Sequence, residues 1–126
     1  MSRLPVVVAS LLLTAPTLAQ DVPDMVLAKD AANYIGEYAM VCGVVSAADY
    51  RQDVRGAPTY LSFGQPYPNQ DFTVVIWGRE RDNFEFTLED LDGYKACAYG
   101  QIKSHRNKPQ ITISQPEQLN FKAPGD

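Results

Sequence analysis

The sequence predicts an all-β fold: a small five-stranded barrel with one short helix before its first strand and another between its third and fourth. Three observations carry that expectation. Residues 59–78, TYLSFGQPYPNQDFTVVIWG, hold two runs of alternating apolar character around a turn rich in proline, glycine and asparagine. Segments 38–45 and 94–102 echo each other, with Gly36 and Gly43 bracketing the first at the same spacing as Gly93 and Gly100 at the second. The 126-residue chain is long enough for one core but short of two domains of roughly 100 to 150 residues each.

Residues 1–19, MSRLPVVVASLLLTAPTLA, read as a cleaved secretory signal: Arg3, an apolar run over 4–16, and small residues ending at Ala19. The run falls short of the roughly 20 apolar residues that a membrane helix needs. No cysteine stands near the cleavage point to carry a lipid anchor. An exported protein, periplasmic or extracellular and without a membrane span after cleavage, is expected. The formal charge of -4 becomes about -5 once Arg3 is removed. An acidic chain holds a polyanion only through a local basic patch.

After a flexible lead over 20–27, residues 28–36 (AKDAANYIG) read as a short helix, with Ala31, Tyr34 and Ile35 on one face and Gly36 as its stop. Strand one spans 38–45, where Ala39 and Val41 alternate with Met40 and Cys42; Gly43 interrupts it, as glycines do where barrel strands bend. Residues 46–58 are polar and include Gly56 and Pro58, a loop presenting Tyr50, Arg51 and Arg55. Strands two (60–63) and three (72–77) send Leu61, Phe63, Phe72, Val74 and Ile76 toward the core. Tyr60, Ser62, Thr73, Val75 and Trp77 then point outward. The charged stretch 79–92 favours a short irregular helix, with Phe84, Leu88 and Leu91 at helical spacing. Strand four covers 94–102 with Ala96 and Ala98 inward. Strand five, 110–114, turns Ile111 and Ile113 inward after a basic turn over 104–109. The folded domain would run over 28–121, leaving 122–126 as a tail.

In this register Cys42 and Cys97 both lie on the outer side of neighbouring strands. An even pair in an oxidising compartment is expected to form a disulfide. Closing so long a loop removes roughly 4 kcal/mol of unfolded-chain entropy.

Five strands, a helix ahead of the first and a connector between the third and fourth are the order of the oligonucleotide/oligosaccharide-binding (OB) barrel, a Greek-key fold. The segments AANYIGEYAMVCGVV, YLSFGQPYPNQDFTVVIWG and YKACAYGQIKSHRNKPQITISQPEQL resemble a group of small exported bacterial OB-fold domains. They are similar in pattern to tRNA anticodon-like and thermonuclease-associated OB modules. The resemblance spans 28–119. It implies an OB barrel and a nucleic-acid-binding role, on a fold that hosts many functions.

Ligands of OB barrels lie across the second and third strands, between the loops joining strands one to two and four to five. Here that face comprises Tyr60, Ser62, Thr73, Val75 and Trp77. The flanking loops supply Tyr50, Arg51 and Arg55 on one side and Lys103, His105, Arg106 and Lys108 on the other. Aromatics beside cations suit single-stranded DNA or RNA, each stacked base contributing roughly 1 to 3 kcal/mol. Asp49 and Asp53 nearly cancel the charge of the first loop, and aromatics also suit half-exposed strands. An envelope protein or a glycan is therefore the alternative ligand.

Catalytic patterns are scarce. The single histidine, His105, has no acid beside it in sequence, so neither a triad nor a histidine-rich metal site can be assembled. Glu85, Glu89, Asp90 and Asp92 crowd one charged connector and read as wet surface. No Asp/Glu/Arg set matches the metal-dependent nuclease motif that the thermonuclease likeness would require. Glycine-rich phosphate loops and nucleophile elbows are also missing from the sequence. The expectation is a binding protein without catalytic activity, metal or cofactor; a nuclease-related hydrolase is the distant alternative.

Overall fold

The computed structural model of the protein describes residues 22–125, so the expected signal lies outside the described residues. Along the chain run β1 (Val26–Leu27), a 3-10 helix (Ala28–Tyr34), β2 (Tyr38–Tyr50), β3 (Thr59–Phe63) and β4 (Phe72–Ile76). Two 3-10 helices follow (Gly78–Asn83 and Leu88–Leu91), then β5 (Lys95–Gln101), β6 (Lys103–His105) and β7 (Lys108–Thr112). A last 3-10 turn (Pro116–Gln118) leads into β8 (Leu119–Lys122). The all-β class holds.

β2 organises the rest. Its first half pairs with β1 in parallel and with β5 antiparallel, and β8 lies beyond β5. Its second half pairs with β3, which leads through β4 to β7 and β6. The change of partner falls around Gly43 and a register irregularity between Val45 and Ala47. A Cβ at Gly43 would come within 3.0 Å of the Ala28 methyl and 3.1 Å of the Phe63 ring, so glycine lets the strand bend over both without displacing either. The strand continues through Tyr50 rather than ending at 45. Pairing with β3 needs only one buried face, and Ala48 supplies it against the core where the polar residues beside it suggested a loop.

The alternation expected for the core residues is borne out. Leu61, Phe63, Phe72, Val74 and Ile76 are fully buried, and Val41, Val45, Ala96, Ala98, Ile111 and Ile113 join them. Phe63 and Phe72, opposite each other on β3 and β4, meet edge to face at 5.4 Å. The expected short helix is present as a 3-10 helix, with one change to its buried face. In a 3-10 helix residues three apart eclipse, so Ala28, Ala31 and Tyr34 face inward while Ile35 is exposed instead of sharing their face. Val26 of β1 is buried within the stretch expected to be a flexible lead.

The closed barrel is corrected to an open sheet of eight strands. Its hydrogen-bonded order is β6-β7-β4-β3-β2-β5-β8, with β1 beside β2, and no ladder joins β5 to β7. The two edges that would meet to close a five-stranded cylinder are already occupied: β8 takes that of β5 and β6 that of β7. At the seam between them a side chain stands in for a ladder. Gln118 donates from Nε2 to the Tyr99 carbonyl at 3.1 Å, and its Oε1 accepts from the amides of Ser114 at 2.9 Å and Gln115 at 3.1 Å. β5 also approaches β7 closely, since a Cβ at Gly100 would come within 2.6 Å of Ile111 Cγ2.

Cys42 and Cys97 are directly opposite on β2 and β5 and form the expected disulfide, with Cα atoms 4.0 Å apart. Among the described residues no helix is long and apolar enough to cross a membrane.

Candidate nucleic-acid interface

Residues directly opposite on paired strands share a face of the sheet. Ala47, Ser62, Thr73, Gln110 and Lys103 accordingly form one cross-strand row, and Asp49, Tyr60, Val75 and Thr112 the next. This is the outer side of β3 and β4. Because Thr59 is opposite Ile76 while β7 begins beside the start of β4, loop 51–58 and the β6–β7 turn stand at opposite ends of this face. The five-residue strand β4 separates them by about 16 Å.

The floor of the face is closed, which corrects the expectation that Ser62, Thr73 and Val75 are available to a ligand. Ser62 is 2%, Thr73 8% and Val75 2% exposed. Loop 64–71 folds back over the strand and is the reason for Thr73: the buried Gln70 donates from Nε2 to Thr73 Oγ1 at 3.3 Å. Lys108 Nζ in turn donates to the Gln70 carbonyl at 2.9 Å, which ties the loop to β7 and engages that lysine. Val75 sits in its row between Tyr60 and Thr112. Tyr60 keeps a half-buried ring at this face.

At one end, loop 51–58 spends most of its groups on itself. Arg51 donates from Nε to Asp53 Oδ1 at 2.9 Å and from Nη2 to Oδ2 at 2.8 Å. This fork pulls the Asp53 carboxyl down to about 2 and raises the guanidinium above its ordinary value. The ring of Tyr50 lies under the Arg81 guanidinium, 3.6 Å from centroid to Cζ. Trp77 packs on Gly56, where a Cβ would come within 3.0 Å of the indole Cε3, and Gly78 N donates to Gly56 O at 2.9 Å. Tyr50 and Trp77 brace the loop rather than stand out as stacking platforms. Arg55 is exposed and has no hydrogen bond or ion pair among the described residues.

At the other end the expected basic turn is a two-strand hairpin. Arg106 and Asn107 have φ of 50° and 65°, the two positive values of a type I′ turn, whose twist matches that of the flanking strands. Lys103, His105 and Arg106 are exposed and without partners among the described residues. Beside them loop 64–71, held to β7 through Gln70, carries Tyr67 at 68% exposure. The sequence reading missed Tyr67, although an aromatic residue in a proline-rich loop was a readable signal. Arg81 and Gln70 had no such signal, since each acts through a tertiary contact. Among the described residues no group of three or more His, Cys, Asp or Glu is placed to hold a metal ion.

Comparison with known proteins gives little kinship. No family model matches the chain, and no curated protein does. Among solved structures it is similar to a putative aspartyl-tRNA synthetase from Leishmania major Friedlin, at 5% identity and a TM-score of 0.48. That match covers 84% of this chain and 22% of the other, so the chain spans under a quarter of the synthetase.

Proposed function

We propose that the protein is an exported, partly open OB-type binding domain that engages single-stranded nucleic acid along the outer face of β3 and β4. The strand would run from the β6–β7 hairpin, past Tyr60, to Arg55. One observation carries this reading: the exposed, unpaired cations Lys103 and Arg106, with His105 between them, are set on a hairpin of fixed turn geometry that Lys108 ties to the loop carrying the exposed Tyr67. Cations for phosphates next to an aromatic for a base are the elements of sequence-tolerant single-strand binding. The β2–β3–β4 meander with β7 parallel to β4 supports an OB-type sheet, a fold that is partly open. The disulfide supports an oxidising location. The reading is of a binding protein and not an enzyme, so incubation with nucleic acid and calcium or magnesium should leave the nucleic acid intact.

The test is fluorescence anisotropy of a labelled oligothymidine titrated with the protein over a range of salt. Phosphate contacts from Lys103, Arg106 and Arg55 give a slope of log K against log salt of about -2, and replacing Lys103 and Arg106 by alanine reduces its magnitude by about 1.4. Tyr67→Ala costs about 1 to 3 kcal/mol of binding if a base stacks there. These side chains are exposed, so melting should be unchanged. Absence of binding at low salt, or binding indifferent to the hairpin variants, would overturn the proposal.

A further inference from the structure

β1, the first half of β2, β5 and β8 form the part of the sheet away from the proposed nucleic-acid face, and among the described residues nothing covers their outer side. Alternation and register put Leu27, Cys42, Val44 and Cys97 on that side together. Leu27 is 44% and Val44 47% exposed, and Met25 beside them 46%. With the disulfide they line an apolar groove of about 460 Å³, the size of a small-molecule pocket. At its margin Lys95 and Lys122 are directly opposite each other on β5 and β8. Both are exposed, and neither has an ion pair or hydrogen bond among the described residues.

Like charges directly opposite on paired strands work against the pairing. An anion placed between the two ammonium groups reverses that sign, because each then gains a charge-assisted hydrogen bond. The groove beside them offers apolar surface and almost no polar partner, so the rest of that anion must be apolar. We propose that this groove binds one molecule of a single-chain anionic amphiphile, such as a fatty-acid carboxylate. Its head group lies between Lys95 and Lys122 and its chain along Leu27, Val44 and the Cys42–Cys97 disulfide. A neutral or cationic partner would cover the apolar surface and leave the two lysines opposed.

The experiment is calorimetric titration of the protein with dodecanoate below its micelle concentration. Dodecyltrimethylammonium serves as the cationic counterpart and phosphatidylglycerol vesicles as the membrane arm. Saturable one-to-one binding of dodecanoate is expected, weaker by about tenfold or more for dodecyltrimethylammonium and for the K95Q/K122Q variant, in line with loss of two charge-assisted contacts. Leu27→Ser with Val44→Ser should also weaken it. Lys122→Glu separates binding from stability: it should abolish dodecanoate binding and raise the melting temperature, because the opposed charges become a complementary pair. Dodecanoate bound equally by K95Q/K122Q would overturn the proposal. So would association with the vesicles without binding of the monomer, or a concentration-dependent dimer that Val44→Ser dissolves.

Discussion

Arg81 ties the connector between β4 and β5 to the sheet through three side chains at once. It donates to the Thr59 hydroxyl, lies 2.8 Å from Glu89 Oε1 and covers the Tyr50 ring. Its side chain is only 18% exposed, so these contacts are poorly screened. Arg81→Ala should cost about 2 kcal/mol in urea unfolding, the range for hydrogen bonds to a charged group. Arg81→Lys should recover only part of it, because a point charge cannot stack and fork together. Asp53 gives a second check. Its carboxyl, held down to about 2 by the Arg51 fork, should show that midpoint in an NMR titration and move up toward 3.8 in Arg51→Ala. A depressed carboxyl stabilises the fold above its unfolded pKa, and the contribution disappears as pH falls through about 2; on this exposed pair the effect is small. The core positions of β3 and β4 were legible because a two-residue period needs no partner to be read. The burial of Thr73 was not, because its cover comes from Gln70 on a loop, and no local pattern announces that fold-back.

Among the elements, the 3-10 helix at Ala28–Tyr34 shows what composition leaves open: alanines at 28 and 31 fit an α-helix equally well, yet the chain takes the tighter form, with Ala28 close over Gly43. β6 and β8 were illegible for a different cause. KSH is exposed throughout and LNFK buries only Leu119, so neither carries an alternating signal. Their pairing depends on the edges that β7 and β5 offer. The Arg106-Asn107 turn also lacks the Asn-Gly or Asp-Gly pair that marks type I′ hairpins in sequence. The seam that β6 and β8 leave between β5 and β7 is bridged by Gln118, which satisfies three backbone groups. Gln118→Ala should cost about 0.5 to 1.5 kcal/mol, the net worth of such hydrogen bonds where water can replace them. Hydrogen exchange should quicken at the Ser114 amide and stay unchanged along β3 and β4. Equal quickening everywhere would mean global unfolding and no local seam.

For the whole molecule, the disulfide joins β2 to β5 over a sequence separation of 55. Reduction, or replacement of Cys42 and Cys97 by alanine, should lower stability by about 4 kcal/mol, read as a shift in the urea midpoint. That pairing was legible because equal glycine spacings put both cysteines on the same side of adjacent strands. The sheet closure was not, since it turns on which edges the two unannounced strands occupy. The two outer faces differ in chemistry: basic and aromatic beside β3 and β4, apolar with two opposed lysines beyond β5. Only the first suits a polyanion along its length. The most direct test is an amide-shift footprint of an unlabelled oligothymidine on the isotope-labelled protein at low salt. The account predicts shifts at 103–108, Tyr67, Tyr60 and Arg55 together, with Leu27 and Val44 unmoved. Shifts centred on Leu27 and Val44, or none at the hairpin, would contradict it.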